Sequence, residues 1–206
     1  NIMTTGVYEF HLSYGEVLSD NLYGIINSID SEDYVSLHLP DYLSGNRVID
    51  PISDNVNTRN DSQLLILRSL DFAKAISHKI KKKVPVVGSF SQRNNRGRYE
   101  VLDDLFSYIE SNDSDEINIY PQWLPIYAWY FGGSVKLELF NSTKDIDYIV
   151  KHSRYICLDL CHLALSAKYF DSNWKDWYKL LKPFIGHFHF ADSQGVDGEG
   201  LDIGEG

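Results

Sequence analysis

Long apolar runs and an excess of basic residues are both missing from this sequence. No apolar stretch reaches the roughly 18 residues that a membrane-spanning helix needs, so we expect no membrane partner. The 19 Lys and Arg residues are outnumbered by 29 Asp and Glu residues, which gives a formal net charge of −10. Proteins that bind nucleic acid usually present a basic face. The charge balance therefore argues against a nucleic-acid partner.

Cysteine is scarce, and a secretory signal is not recognisable. The two cysteines, Cys157 and Cys161, lie in one apolar run at a spacing too short for a relaxed disulfide within a strand. We interpret both as reduced thiols, which is typical of a cytoplasmic protein. The segment from Asn1 to Phe10 mixes polar and apolar residues and lacks the basic start of a signal peptide. Because the chain starts with Asn1 rather than Met, we expect it to be a fragment of a longer protein.

Short β-rich runs alternate with amphipathic helical patterns along almost the whole chain. The predicted strands are Gly6–Leu12, Tyr34–Leu39, Val84–Phe90, Glu116–Tyr120, Val135–Phe140, Tyr155–Leu160 and Ile185–Phe190. The predicted helices are Ser19–Ser28, Ser62–Lys79, Tyr99–Ser111, Thr143–His152 and Trp174–Leu181. This alternation is typical of βαβ units and of a parallel sheet.

The number of predicted strands favours a barrel over an open sheet. A complete barrel of this kind has eight strands and about 250 residues. We therefore predict a single α/β domain over residues 1–206, a parallel (β/α) TIM-type barrel that is incomplete at its C-terminus and lacks the eighth strand. A doubly wound open sheet is the alternative, but no Gly-rich phosphate loop follows the first predicted strand.

Acidic and histidine side chains fall near the ends of the apolar strands: His38, Glu138, Asp159 and His189. The C-terminal strand ends of a parallel barrel face its active site. One such residue has an ordinary explanation, since a histidine can be hydrogen-bonded in the core and an aspartate can cap the next turn. Four of them at equivalent positions favour a metal site. Carboxylates and imidazoles suit Mn, Mg or Zn, and we predict Glu138, Asp159 and His189 as the metal ligands.

The alternation of side chains along a strand adds two further residues. With a period of two, Lys136 shares a face with Glu138, and His187 shares a face with His189. If Glu138 and His189 point into the barrel, Lys136 and His187 point inward one layer deeper. Lys136 would then steady a metal ligand or a substrate oxygen, and the structural alternative is a salt bridge to a neighbouring carboxylate.

Two segments between the predicted elements leave alternatives open. The stretch Tyr120–Tyr130 contains Trp123 and Trp129, which could form a stacking wall for a sugar ring; a hydrophobic lid or an oligomer contact explains them equally well. The Arg-rich loop Arg93–Arg98 could grip a phosphate, because arginine presents a planar fork of donors. A solvated loop is the simpler interpretation.

Taken together in their order and spacing, these motifs resemble the xylose isomerase-like TIM-barrel superfamily. That group contains sugar isomerases and epimerases, inosose dehydratases and endonuclease IV-type abasic-site nucleases. The resemblance extends from Val7 onward and is strongest from Val135 to Gly206. The matching motifs are His38, Glu138, Asp159-x-x-His162, His189-x-x-Asp192 and the tail Leu201-Asp-Ile-Gly-Glu-Gly.

The resemblance implies a divalent-metal-dependent isomerase or epimerase that acts on a small sugar or sugar phosphate. The metal would polarise a carbonyl and an adjacent hydroxyl oxygen while a carboxylate moves a proton between carbons. We expect Glu138, His162 and Lys136 to be catalytic. The expected substrate-binding residues are His38, His187, Glu199, Trp123 and Trp129.

Two departures from the family pattern define the alternatives. The nucleases carry an Asp-x-His pair shortly before the tail, whereas this chain has Asp197 and Glu199 there and no histidine. The family's last metal-binding Glu, on the eighth strand, has no counterpart, and Glu199 could be a substitute ligand or a substrate contact. The alternatives to an isomerase are an abasic-site nuclease and a non-catalytic barrel domain of a larger sugar-biosynthesis protein.

Overall fold

The structure is a computed structural model that describes residues 6–19 and 22–206. The chain divides into two compact units. The first unit runs to Gly88 and also includes Ser107–Ile119, and the second unit comprises Ser89–Phe106 and Tyr120–Gly206.

A parallel sheet forms the centre of the first unit. Its strands are β1 (Val7–His11), β2 (Tyr34–His38), β5 (Val84–Gly88) and β6 (Ile117–Pro121), and they lie in the order β1-β2-β5-β6. Two short strands, β3 (Tyr42–Leu43) and β4 (Arg47–Val48), form an antiparallel hairpin between β2 and β5. All four strands of the main sheet lie where the sequence predicts them, because each is a short run rich in Val, Ile, Tyr or Phe.

Helices connect these strands, and their caps explain their bounds. The short helix α1 (Tyr14–Val17) begins at Ser13, whose hydroxyl accepts from the Glu16 amide in a capping box. Helix α2 (Val56–Ile80) begins earlier than the predicted Ser62 because the side chain of Asn55 caps it, and it ends at Lys81 in the left-handed conformation. Helix α3 (Arg98–Asn112) matches its prediction.

The prediction of a helix at Ser19–Ser28 is confirmed only in part. Residues Leu22–Ser28 form a 3₁₀ helix, and positions 20 and 21 lie outside the described residues. The sequence pattern also missed α1, which is only four residues long.

The second unit contains a parallel strand pair and its own helices. Strand β9 (Ile156–Asp159) pairs with β10 (Ile185–His189), and Gln122 forms an isolated parallel bridge with Cys157 of β9. Helix α4 (Thr143–His152) has its predicted bounds. This unit also contains α5 (Leu160–Tyr169), α6 (Trp174–Leu181), a 3₁₀ turn at Lys182–Phe184, and the antiparallel hairpin of β11 (Asp192–Gln194) and β12 (Gly198–Leu201).

The predicted parallel strand Val135–Phe140 is wrong. Strands β7 (Tyr127–Tyr130) and β8 (Gly133–Lys136) instead form an antiparallel hairpin. The two residues between them, Phe131 and Gly132, both have positive φ, at 56° and 78°, as a tight primed hairpin turn requires. The chain after Lys136 leaves the hairpin without forming a strand.

The described residues thus form a mixed α/β structure with one four-stranded parallel sheet and several two-stranded sheets. The α/β class and the parallel strands agree with the sequence prediction, and closure into a barrel stays a prediction. Neither cysteine forms a disulfide, and burial raises the pKa of Cys161 to about 11, which disfavours its thiolate form at neutral pH. Within residues 6–19 and 22–206, no helix has both the length and the apolar character to cross a membrane.

Candidate metal centre

Asp159 lies at the C-terminal end of β9, and its two carboxylate oxygens make different contacts. Its Oδ1 accepts from the backbone amide of His162 at 3.0 Å, which caps helix α5. Its Oδ2 faces the neighbouring strand, where the register places His189 directly opposite. Because Asp159 is only 8% exposed, its second oxygen needs a polar partner. The structure is therefore compatible with Asp159 as a helix cap and also with Asp159 as a metal ligand.

Gln122 provides that partner and joins Asp159 to His189. Its Nε2 donates to Asp159 Oδ2 at 3.1 Å and lies 3.0 Å from His189 Nδ1. Its Oε1 accepts from the hydroxyl of Ser89 at 3.0 Å, which fixes the orientation of the amide. His189 Nδ1 is then the acceptor, so the neutral ring carries its proton on Nε2.

The two acceptors that share the Gln122 amide also fit a cation. Asp159 Oδ2 and His189 Nδ1 are 3.7 Å apart and are both directed at one donor. Bonds from a divalent ion to such ligands are roughly 2.0–2.2 Å long, so one ion can reach both atoms. His187, two residues earlier on β10, offers a ring nitrogen within 4.8 Å of one from His189. Asp159 and His189 thus have the donor atoms and the separation that a shared divalent cation needs.

His162 lies beside this site with both ring nitrogens engaged. Its Nδ1 donates to the Trp123 carbonyl oxygen at 2.9 Å, and its Nε2 is 2.8 Å from Glu199 Oε1. Burial by itself lowers the pKa of His162, but the hydrogen bond to Glu199 and the charges of Asp159 and Glu199 raise it overall. The same contact with His162 lowers the pKa of Glu199. The pair is therefore an imidazolium and a carboxylate over the pH range between these two pKa values.

We expect this ion pair to make stability depend on pH. The raised pKa of His162 gives stability that is complete below its unfolded value of 6.5 and is lost as pH rises through the folded pKa. The lowered pKa of Glu199 gives stability that is present above 4.5 and is lost as pH falls through the folded pKa. The pair should therefore stabilise the fold most between pH 4.5 and 6.5.

Urea unfolding of the wild type and of Glu199→Gln, with a chelator present, measures this contribution. The difference between the two proteins should be largest between pH 4.5 and 6.5 and should shrink as the pH rises through the raised pKa of His162. A difference that does not change with rising pH would contradict the expectation.

Glu138 pairs with an arginine, and Lys136 lies at the exposed end of a hairpin strand. The Glu138 carboxylate accepts from Arg93 Nη2 at 3.3 Å, and its backbone amide donates to the Ser91 carbonyl. Lys136 is exposed at the end of β8, so it does not lie in an interior layer beneath Glu138. The reason is the hairpin, which removes the strand whose alternation would have turned Lys136 inward. The role of Glu138 as a metal ligand stays a prediction.

The two tryptophans differ in exposure. Trp123 is completely buried, and its ring packs edge-on against Trp177 at 6.0 Å, so it does not offer a face to a sugar. Its contribution to the site is the carbonyl oxygen that accepts from His162. Trp129 is 66% exposed on β7, and its role in stacking stays a prediction.

In the first unit, the predicted substrate residue His38 ends β2 and is buried. Its Nδ1 is 2.8 Å from the Leu39 carbonyl oxygen, and its ring stacks on His11 at 4.8 Å. His11 Nε2 is 3.0 Å from Glu9 Oε1, and this hydrogen bond raises the pKa of His11. The C-terminal ends of β1 and β2 thus carry their own polar cluster.

The arginines of the loop before α3 are held by carboxylates. Arg93 contacts Glu138, Arg96 contacts Asp104, and Arg98 contacts Asp145. These ion pairs give the loop a structural role and leave phosphate binding without support.

Sequence reasoning missed Gln122 and Ser89. Both directly follow a parallel strand, whereas Asp159 and His189 are the last residues of theirs. A glutamine and a serine belong to no familiar ligand motif. Their position directly after a strand was therefore the only feature of the sequence that could have indicated them.

Comparisons with known proteins give information on the fold. No protein-family model and no curated protein matches the sequence. Among solved structures, the chain is similar to the TTHB071 protein from Thermus thermophilus, studied after soaking with ZnCl2. The two are 17% identical with a TM-score of 0.63, and the match covers 96% of this chain and 73% of that chain. A likeness at this identity extends to the fold alone.

Proposed function

We propose that the protein is a divalent-cation-dependent isomerase or epimerase that acts on a small sugar or sugar phosphate. The observation that carries the proposal is the convergence of Asp159 Oδ2 and His189 Nδ1 at the C-terminal ends of β9 and β10, 3.7 Å apart. Ligand sites of parallel α/β folds lie at the carboxyl ends of the strands. The motif resemblance, rather than the geometry, supplies the reaction class.

Asp159 and His189 would hold the cation. When bound, a divalent ion polarises a carbonyl or hydroxyl oxygen of the substrate and so eases removal of a neighbouring proton. The capping bond from His162 fixes the Asp159 carboxylate, and strand pairing fixes the position of His189. Both ligands are therefore oriented before a cation arrives, which lowers the cost of binding.

The His162–Glu199 pair is the proposed proton-transfer group. His162 holds a proton on each ring nitrogen in its cationic form and can donate the Nε2 proton. The Glu199 side chain is 41% exposed, so it can reach a substrate that His162 alone, at 10%, cannot. Glu199 would accept a proton from one substrate carbon and return a proton to the same or the neighbouring carbon. His162 would stabilise the Glu199 carboxylate before the first transfer and after the second.

The substrate class follows from charge. With a net charge of −10, the chain disfavours a polyanion, whereas a neutral sugar or a single phosphate carries little penalty. Zn²⁺ is one cation to test, since the similar Thermus structure was soaked with ZnCl2. Mn²⁺ is another, because the donors are a carboxylate oxygen and an imidazole nitrogen.

Incubation with a panel of aldoses and ketoses in D₂O tests the proposal directly. A proton-transfer isomerase or epimerase exchanges a carbon-bound hydrogen with solvent, so cation-dependent deuterium incorporation into one sugar is expected in NMR spectra. Asp159→Asn should abolish that incorporation, and the exposed Asp176→Asn should not. Absence of incorporation and of sugar conversion with either cation would refute the proposal.

We also expect no measurable binding of duplex DNA, with or without an abasic site. Counterion release is the main source of nucleic-acid affinity, and an acidic protein gains little from it. Fluorescence anisotropy of a labelled duplex at low and moderate salt provides the measurement. Tight binding that weakens steeply with salt would favour the nuclease alternative.

A further inference from the structure

Gln122 bridges the two ligands of the candidate cation site through a single nitrogen atom. That Nε2 atom lies 3.1 Å from Asp159 Oδ2 and 3.0 Å from His189 Nδ1, and the side chain is almost fully buried. An amide nitrogen has two hydrogens, so it can satisfy both acceptors at once. The Gln122 amide therefore bridges the two side chains that are proposed to hold the cation.

The oxygen of the Gln122 amide is hydrogen-bonded to a hydroxyl group, which can either donate or accept a hydrogen bond. The Ser89 hydroxyl donates to Gln122 Oε1 at 3.0 Å. A hydroxyl can also accept, so a half-turn of the amide keeps this bond, with Ser89 as acceptor and Nε2 as donor. The turn would bring Oε1 to the two acceptors of the site. Three acceptors facing one another are unfavourable unless a cation lies between them.

We propose that Gln122 is the third ligand of the cation and binds through Oε1 after its amide has turned. The inference rests on the proposed function, because it needs a cation at Asp159 and His189. Binding of the cation and reorientation of the amide are then a single event. The resulting donor set is two oxygens and one imidazole nitrogen, which suits Mn²⁺.

Two substitutions at Gln122 separate a ligand from a residue that only positions its neighbours. Gln122→Met keeps the length of the side chain and removes the hard oxygen. Gln122→Glu keeps the shape and an oxygen that accepts from Ser89, but it removes the N–H donors. A ligand role predicts opposite effects of the two changes, because a carboxylate is a stronger Mn²⁺ ligand than an amide. A purely positioning role predicts that both variants weaken binding, because both lose the N–H donors.

Titration calorimetry with MnCl2 alone provides the readout. We expect Gln122→Met to weaken Mn²⁺ binding about tenfold or more and Gln122→Glu to bind at least as tightly as the wild type. The exposed Gln194→Met is the matched control and should leave affinity unchanged. Gln122→Glu is nearly isosteric, so it remains informative if the methionine variant folds poorly.

The outcomes distinguish failure of this inference from failure of the proposed function. Wild-type binding of Mn²⁺ together with equal weakening in both Gln122 variants, or with no change in Gln122→Met, would overturn the ligand role and leave the cation site intact. A wild type that binds no Mn²⁺ would overturn both.

Discussion

Asp159→Asn should weaken divalent-cation binding by roughly a hundredfold while leaving the fold intact. The substitution removes the negative charge whose Oδ2 lies 3.7 Å from His189 Nδ1. Loss of a group that merely supports a ligand typically costs roughly 10–100-fold in metal affinity, and loss of a ligand's charge should reach the upper end of that range. Asparagine caps a helix about as well as aspartate, so the bond from the His162 amide should persist.

Calorimetry with Mn²⁺ and Zn²⁺, paired with urea unfolding in a chelator, separates the two effects. Asp176→Asn is the control, because Asp176 is exposed and pairs with Lys179 on the surface of α6. Unchanged affinity in Asp159→Asn would remove Asp159 from the site. A large loss of stability without a cation would instead make its capping role dominant.

Asp145→Ala should destabilise the second unit by about 3–5 kcal/mol, the usual cost of leaving a buried ion-pair partner alone. The Asp145 side chain is completely buried, and Arg98 Nη1 donates to both of its oxygens at 2.6 and 2.7 Å. Its Oδ2 also accepts from the backbone amides of Asn141 and Ser142, each at 3.0 Å. The substitution leaves all of these donors without their acceptor at the start of α4.

Chemical denaturation of Asp145→Ala and of Asp104→Ala provides the comparison. Asp104 pairs with Arg96, but its side chain is 56% exposed, so its loss should cost less than about 1 kcal/mol. Similar losses of unfolding free energy in the two variants would show that burial does not determine how much each arginine–aspartate pair stabilises the fold.

Much of the fold could be predicted from the sequence because most strands and helices have strong local signals. The strands β2, β5, β9 and β10 are short apolar runs, and α4 and α6 begin at Ser142 and Asn173, residues that favour helix N-caps. The predicted strand Val135–Phe140 is wrong because an apolar run shows neither where a strand ends nor the direction in which it pairs. Only Val135 and Lys136 belong to a strand, the antiparallel β8. Its deciding feature was the turn at Phe131 and Gly132, where a non-glycine residue adopts positive φ.

The sequence predicts those residues of the candidate site that lie at the ends of strands. Asp159 and His189 were predicted to lie close together because each ends an apolar strand, and the strand register places them opposite each other. The sequence did not predict Gln122, because its role depends on which atoms its side chain contacts in the folded chain. Trp123 was predicted to stack against a sugar ring, but its side chain instead fills the core.

Anomalous diffraction from a crystal soaked in MnCl2 tests the central claim most directly. A single Mn²⁺ peak should lie between Asp159 Oδ2 and His189 Nδ1, at roughly 2.0–2.2 Å from each. A crystal that shows no anomalous peak at Asp159 and His189, or shows Mn²⁺ only at surface carboxylates, would contradict the claim.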